Sequence, residues 1–295
     1  MASQTPDRQV RHKRTNVAGV DTFYREAGRA DAPVVLLPHG YPCSSYEFRN
    51  LMPLLADKWR LLAPDFPGSG YTADPDGFRH DFDSYSEFLE QFADATGAQT
   101  FALYLHDFGS WIGLRLAMRR PERIAALILQ NGDIYEDAMG PKYSGLKEIW
   151  KLERAKGLAK LREFVSADHF RDEFLNDVRP ELAARIPPDL WTLHWTLMTD
   201  QRRENAARII YDLKDNLAWF PRYQDYLRTQ RPKTLIVWGP QDGYMPEQSA
   251  KAYLRDLPDA ELHLLDGGHW LLETRLGEAA ALIRGFLERT HAAPG

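Results

Sequence analysis

Short apolar runs, each stopped by a cluster of turn residues, constrain this chain more than any other feature. Residues 34–37 stop at Pro38-His39-Gly40-Tyr41-Pro42, and 61–63 at Pro64-Asp65-Phe66-Pro67-Gly68-Ser69-Gly70. Residues 101–105 stop at His106-Asp107-Phe108-Gly109, and 124–129 at Gln130-Asn131-Gly132-Asp133. Unbroken apolar runs closed by Gly and Pro read as strands buried on both faces, the habit of a parallel sheet. Helical stretches separate them, at 48–55, 85–95 and 110–119. A β-α-β-α order predicts an open α/β sheet flanked by helices.

The pattern changes after Asp133. Across 134–223 no comparable strand signal occurs, and aromatic residues alternate with charged ones at helical spacing. Trp150, Trp191, Trp195 and Trp219, four of the eight tryptophans, fall here, and Pro187-Pro188 breaks the stretch near its middle. The sheet resumes at 234–238 and 261–265, and 276–288 reads as a closing amphipathic helix with Ala280, Ile283 and Leu287 on one face. The expected division is therefore a core of 1–133 and 224–295, with a helical cap of 134–223 inserted after the sixth strand.

Composition removes several classes of function. The 295 residues are 44% hydrophobic and 27% charged, ordinary for a globular enzyme or binding module. A formal charge of −5 carries no electrostatic footprint for nucleic acid. The single cysteine, Cys43, forms no internal disulfide and suits a reducing cytoplasm. Residues 1–14 are polar and basic without an apolar segment, so no secretory leader is expected. The apolar runs fall far short of the ~20 residues of a membrane span. No spacing resembles a metal-ligand motif, and no cofactor is implied. The expected partner is a small apolar molecule; the oligomeric state is not legible.

In open α/β sheets, ligands bind beyond the carboxyl ends of the strands. Those ends carry His39-Gly40, Asp107, Asp242 and His269. Asp107 stands where a strand turns abruptly into a helix, the place of a nucleophile elbow, and the chain order is nucleophile, acid, histidine. Taken singly, Asp107 reads as a helix N-cap, Asp242 as half of an Asp-Gly turn, and His269 as a solvated loop residue. Their joint placement favours catalysis. Asp133 is a competing acid, because it also follows a strand.

On these motifs the sequence resembles an α/β-hydrolase of the branch containing epoxide hydrolases and haloalkane dehalogenases, over about residues 20–287. No Gly-x-Ser-x-Gly is present, and Ser110 lies one turn into the helix, away from the elbow. An aspartate, ionised above ~3.9, needs no base to attack saturated carbon. The resemblance implies an alkyl ester on Asp107, hydrolysed by water that His269 deprotonates while Asp242 orients the ring. It implies an oxyanion hole from the backbone amides of Tyr41 and Phe108. Dehalogenase relatives place Asn and Trp where this chain has Tyr41 and Phe108, and fluoroacetate dehalogenases place Arg at 108. The aromatic loop His39-Gly40-Tyr41-Pro42 is similar to the epoxide hydrolase form, whose cap tyrosines protonate the leaving oxygen. Tyr143 fits the first; the second place is held by Phe220, which has no proton to give, and Tyr211 is a substitute. Leu105 is larger than the residue usual at that elbow position. His39, Trp191, Trp195, Trp219 and Phe220, with His194, are expected around the substrate, or else pack the cap on the core. The expected function is epoxide hydrolysis, with haloalkane or haloacid dehalogenation second and a catalytically silent ligand-binding protein third.

Overall fold

The computed structural model describes residues 8–291. Residues 1–7, part of the polar N-terminal stretch, lie outside the described residues. The strands are β1 (Arg11–Val17), β2 (Val20–Ala27), β3 (Val34–Leu36), β4 (Arg60–Pro64), β5 (Phe101–His106), β6 (Ile124–Gln130), β7 (Thr234–Trp238) and β8 (Glu261–Leu264). They form one sheet in the order β1-β2-β4-β3-β5-β6-β7-β8. β3 to β8 run parallel to one another, while β2 is antiparallel to both β1 and β4.

The six parallel strands stand where the apolar runs predict them. The β1–β2 hairpin is an addition to that expectation. β1 reads Arg-His-Lys-Arg-Thr-Asn-Val and lacks an apolar face, because it is an edge strand whose charges discourage further pairing. Its two-residue turn, Ala18-Gly19, has positive φ at both positions (48° and 90°), which matches the twist of a hairpin.

The helices before β7 are α1 (Met52–Leu55), α2 (Phe82–Ala95), α3 (Phe108–Arg119), α4 (Tyr143–Trp150), α5 (Arg154–Phe164), α6 (Ala167–Leu175), α7 (Pro180–Ala183), α8 (Asp189–Thr196), α9 (Asp200–Leu217) and α10 (Phe220–Gln230). After β7 come α11 (Glu247–Ala252), α12 (Leu271–Thr274) and α13 (Leu276–His291). Residues 48–55 do not form the single helix expected; a 3-10 turn at Ser45–Phe48 and the one-turn α1 share that stretch. α10 crosses the boundary expected at 223 and packs on α3, where Arg115 Nε donates to Tyr223 Oη at 2.9 Å.

Successive strand side chains alternate between two cores. Leu103, Leu105, Leu127, Leu129 and Ile236 face one side, with α2 and α3. Val35, Tyr104, Ile128, Leu235 and Val237 face the other, against Ala280, Ile283 and Leu287 of α13. Among the described residues no helix is long and apolar enough to cross a membrane. The carboxyl ends of β5, β6, β7 and β8 open toward the helical segment between β6 and β7.

Candidate active site

Asp107 occupies the single residue between β5 and α3, at φ 49° and ψ −130°. A left-handed φ is costly for a residue with a Cβ, about 1–3 kcal/mol, and it persists only where the surroundings enforce it. Here Asp107 N–H donates to Asn131 O and Ser110 N–H donates to Asp107 O, both at 3.0 Å. The loop after β3 comes so close that a Cβ on Gly40 would lie 2.5 Å from Asp107 Cβ. Leu105 is accommodated opposite Gly113, where a Cβ would meet Leu105 Cδ2 at 2.4 Å. The large residue in the elbow is thus matched by a missing side chain on the helix.

His269 follows β8 and bridges two carboxylates. Its Nδ1 lies 2.7 Å from Asp242 Oδ2, and its Nε2 lies 3.6 Å from Asp107 Oδ2. Burial works against charge on the ring, but Asp242, Asp107 and Glu173 outweigh it and raise the imidazole to about 9. Asp242, in the loop after β7, accepts Tyr244 N–H at 2.8 Å and Met245 N–H at 3.0 Å on Oδ1, and Asn131 Nδ2 at 2.9 Å on Oδ2. Burial alone would raise its carboxyl; His269, Met245 and Asn131 overcome that and hold it at about 2. Asn131 also ties the ends of β6 and β7 together, with Nδ2 donating to Gly239 O at 3.0 Å and Oδ1 accepting Gly239 N–H at 2.9 Å. The sequence draws attention to Asp133 in this loop and gives no sign of the role of Asn131.

Asp133 does not reach His269. It is fully buried; its carboxyl accepts the Tyr143 hydroxyl at 3.3 Å on Oδ1 and leaves Oδ2 without a partner. Burial first and the Asp242 charge second push it up to about 8, so it is a neutral acid at neutral pH. Among the described residues no cluster of three or more His, Cys, Asp or Glu is placed to hold a metal ion.

A cavity stands over Asp107 and His269. Tyr41 and Phe108 stack at 5.6 Å along one side. Tyr41 N–H donates to Asp107 Oδ1 at 2.6 Å, and the Phe108 amide also bonds this carboxylate. Tyr143 lines the cavity, together with Tyr244, His169 and Glu173, which the sequence does not single out. Tyr244 lies two residues beyond Asp242 and donates its backbone N–H to it.

Several expected residues lie elsewhere. Phe220 is buried against Trp111 and Tyr223, and Tyr211 turns its hydroxyl to Leu152 O at 3.0 Å; neither lines the cavity. Trp219 is held between Arg115 and Arg222, with ring-to-cation distances of 3.9 and 4.5 Å. Trp191 packs on Phe174 and Trp195 on Phe170, so they join helices to one another. His39 donates from Nδ1 to Gly40 O at 2.9 Å and accepts Phe66 N–H on Nε2 at 3.2 Å, a neutral ring with both nitrogens used. With His194 it borders a second cavity, beyond the Tyr41–Phe108 pair.

Comparison with known proteins agrees with this architecture. The family model for the alpha/beta hydrolase fold matches residues 33–276. An uncharacterized hydrolase of Saccharomyces cerevisiae is 34% identical over 287 residues, covering 94% of this chain and 97% of its own. A haloalkane dehalogenase of Mesorhizobium japonicum is 37% identical over 290 residues, covering 93% of this chain and 91% of its own. The crystal structure of a haloalkane dehalogenase from Bradyrhizobium elkani superposes with a TM-score of 0.78 at 23% identity, over 97% of this chain and 100% of that one. At that identity the likeness speaks to the fold. The matched span takes in β3 to α12 with the helices between them, and on it the chain belongs to the alpha/beta hydrolase fold family.

Proposed function

We infer that the protein hydrolyses epoxides to vicinal diols through an alkyl ester on Asp107. The ionised carboxylate attacks a ring carbon, and the amides of Tyr41 and Phe108 that now hold it later face the oxyanion formed when water attacks the ester carbonyl. His269 takes the proton from that water while Asp242 holds the opposite ring nitrogen. The charges favour this order of events. In the resting site Asp107 helps keep His269 protonated; esterified Asp107 carries no charge, so His269 falls in pKa at the step that needs a base. The helices of 134–223 serve as a cap that separates the reaction from bulk solvent.

The observation that carries the epoxide reading is the kind of donor in the cavity wall. An epoxide oxygen becomes an alkoxide and wants an O–H, and Tyr41, Tyr143 and Tyr244 all border the cavity. A halide wants N–H donors without proton transfer. Position 108 is a phenylalanine, and the one indole lining the cavity, that of Trp111, donates its N–H to Asp133 O at 2.7 Å. Dehalogenation stays as a second reading because the Mesorhizobium japonicum relative is named for it.

His269→Gln decides between them. Incubated with styrene oxide and other small epoxides, this variant is expected to gain the whole epoxide mass, mapped to Asp107. A gain of the alkyl group alone from hexyl bromide would move the protein to the dehalogenases. No adduct from either panel, with the wild type also inactive, would favour a protein that only binds.

A further inference from the structure

Behind the tyrosines of the cavity wall lies a carboxyl that the reaction above leaves unused. Glu173, on α6, points at the hydroxyl of Tyr244, which donates to Glu173 Oε1 at 3.3 Å. Its side chain is 17% exposed, and Glu173 is among the residues lining the cavity over Asp107. The residue is anchored at its backbone, where Trp270 Nε1, next to His269, donates to Glu173 O at 2.8 Å. Tyr244 is anchored at its own backbone by the bond to Asp242, and its ring meets that of Tyr143 edge-on at 5.3 Å. Both rings thus border the cavity over Asp107, and each hydroxyl donates to a carboxyl: Tyr143 to Asp133, Tyr244 to Glu173.

The two carboxyls are not equivalent. Asp133 has no exposed surface and no contact with the cavity, so a proton it gives up is not replaced. Glu173 faces the cavity and can be recharged from it. We propose that Glu173 and Tyr244 form a proton relay for ring opening, with Tyr244 protonating the released oxygen and Glu173 reprotonating Tyr244. The relay rests on the epoxide reading. As Asp107 forms its bond to carbon, the carbon–oxygen electron pair goes to the epoxide oxygen, which takes the proton of Tyr244. Tyr244 takes the proton of Glu173. Once Asp107 is esterified, His269 gives its proton to the emptied Glu173; in the second step water supplies hydroxide to the ester and its proton to the now neutral His269, so one cycle consumes one water.

The groups facing Glu173 fit the task. Burial, with Asp107 and Asp242 adding to it, raises its carboxyl to about 7, against Lys142 and His269, which lower it. Lys142 is paired with Asp177 at 2.5 Å and lies 4.9 Å over the Tyr244 ring. His169 Nδ1, one turn earlier on α6, lies 3.6 Å from Glu173 Oε1, and burial holds that ring at about 4, hence neutral. A carboxyl half-protonated near neutrality both gives and regains a proton readily. Glu173 is a positioning residue that works through Tyr244.

The test measures the rate of Asp107 labelling by styrene oxide, followed by protein mass, in His269→Gln and in that background with Glu173→Gln or Tyr244→Phe. Each added substitution is expected to slow labelling at neutral pH by about 100-fold. Parent labelling should fall as pH rises through the pKa of Glu173, which loss of the His269 cation moves above its wild-type position, and Glu173→Gln should abolish that limb. Labelling at the parent rate in either variant, or an unchanged limb in Glu173→Gln, would overturn the relay and leave the epoxide reading intact. A parent that no epoxide labels would overturn both.

Discussion

The ends of β6 and β7 make a controlled comparison. Each adjacent parallel strand delivers an aspartate, Asp133 or Asp242, to a fully buried place above the sheet. Burial penalises both carboxylates, yet one titrates at about 8 and the other at about 2. The difference is the donor count. Asp242 receives two backbone amides, the Asn131 amide and His269; Asp133 receives one long hydroxyl contact and keeps a bare oxygen. Donors, not depth, decide which aspartate is the anion that supports His269. One of those donors, Asn131, comes from the β6 loop itself, so that loop supplies the hydrogen bond and not the charge.

Removing the charge at β7 is the hardest way to break the comparison. Asp242→Asn keeps the shape but places an amide among groups that all donate, and it leaves His269 without its anion. Turnover of an epoxide should fall roughly 10⁴-fold, as expected when the tautomer and the imidazolium both lose support. The burst of Asp107 alkylation should survive, because that step needs no base. Equal loss of both steps in rapid-quench kinetics would contradict the assigned roles.

Asn131→Ala is a milder break. It leaves Gly239 N–H and C=O without their side-chain partner, at about 1–3 kcal/mol for a buried unpaired group, and puts a Cβ-bearing residue with no local hydrogen bond at φ 38°. Asp242 loses one donor, and a rise of about one pKa unit corresponds to ~1.4 kcal/mol, or tenfold in turnover. A melting temperature lowered by several degrees with turnover down about tenfold is the expected pair of results. Lost stability with full activity would mean that Asn131 only staples the strands.

How much of this is open to reading from the chain follows the same division. The parallel strands are legible because burial on both faces leaves unbroken apolar runs, whereas β1 hides behind an edge strand's charges. The meeting of Asp107, Asp242 and His269 is legible because each follows a strand of one sheet and the strand ends converge. The cavity wall is not legible in this way. Phe220 stands at the place the resemblance marks and Tyr211 is only a substitute for it, but position along the chain does not say which way a helix face turns, and α9 and α10 turn them to Leu152 and Trp111. Glu173 meets Tyr244 across 71 residues, and Asn131 meets Asp242 across 111, through contacts that only the packed helices and loops define.

The gentlest change isolates the β6 aspartate. If Asp133 is a neutral acid, Asp133→Asn preserves both its charge and its shape, and turnover at neutral pH should stay within about threefold of wild type. Stability carries the sharper signal. A carboxyl raised from about 3.8 to about 8 on folding binds its proton in the native state after the unfolded chain has released it. Its contribution is therefore complete below ~4 and is lost as pH climbs to 8. The substituted amide has no such dependence, so the variant should gain on wild type between pH 5 and pH 8. The gain has an upper bound of ~4 kcal/mol at 1.36 kcal/mol per unit, and at roughly 2–4 °C per kcal/mol it is readable as a difference in melting temperature. The same difference at both pH values would mean that Asp133 is charged in the folded protein. Hydrogen bonds around β6 would then be doing for Asp133 what they do for Asp242, and the contrast between the two strand ends would disappear.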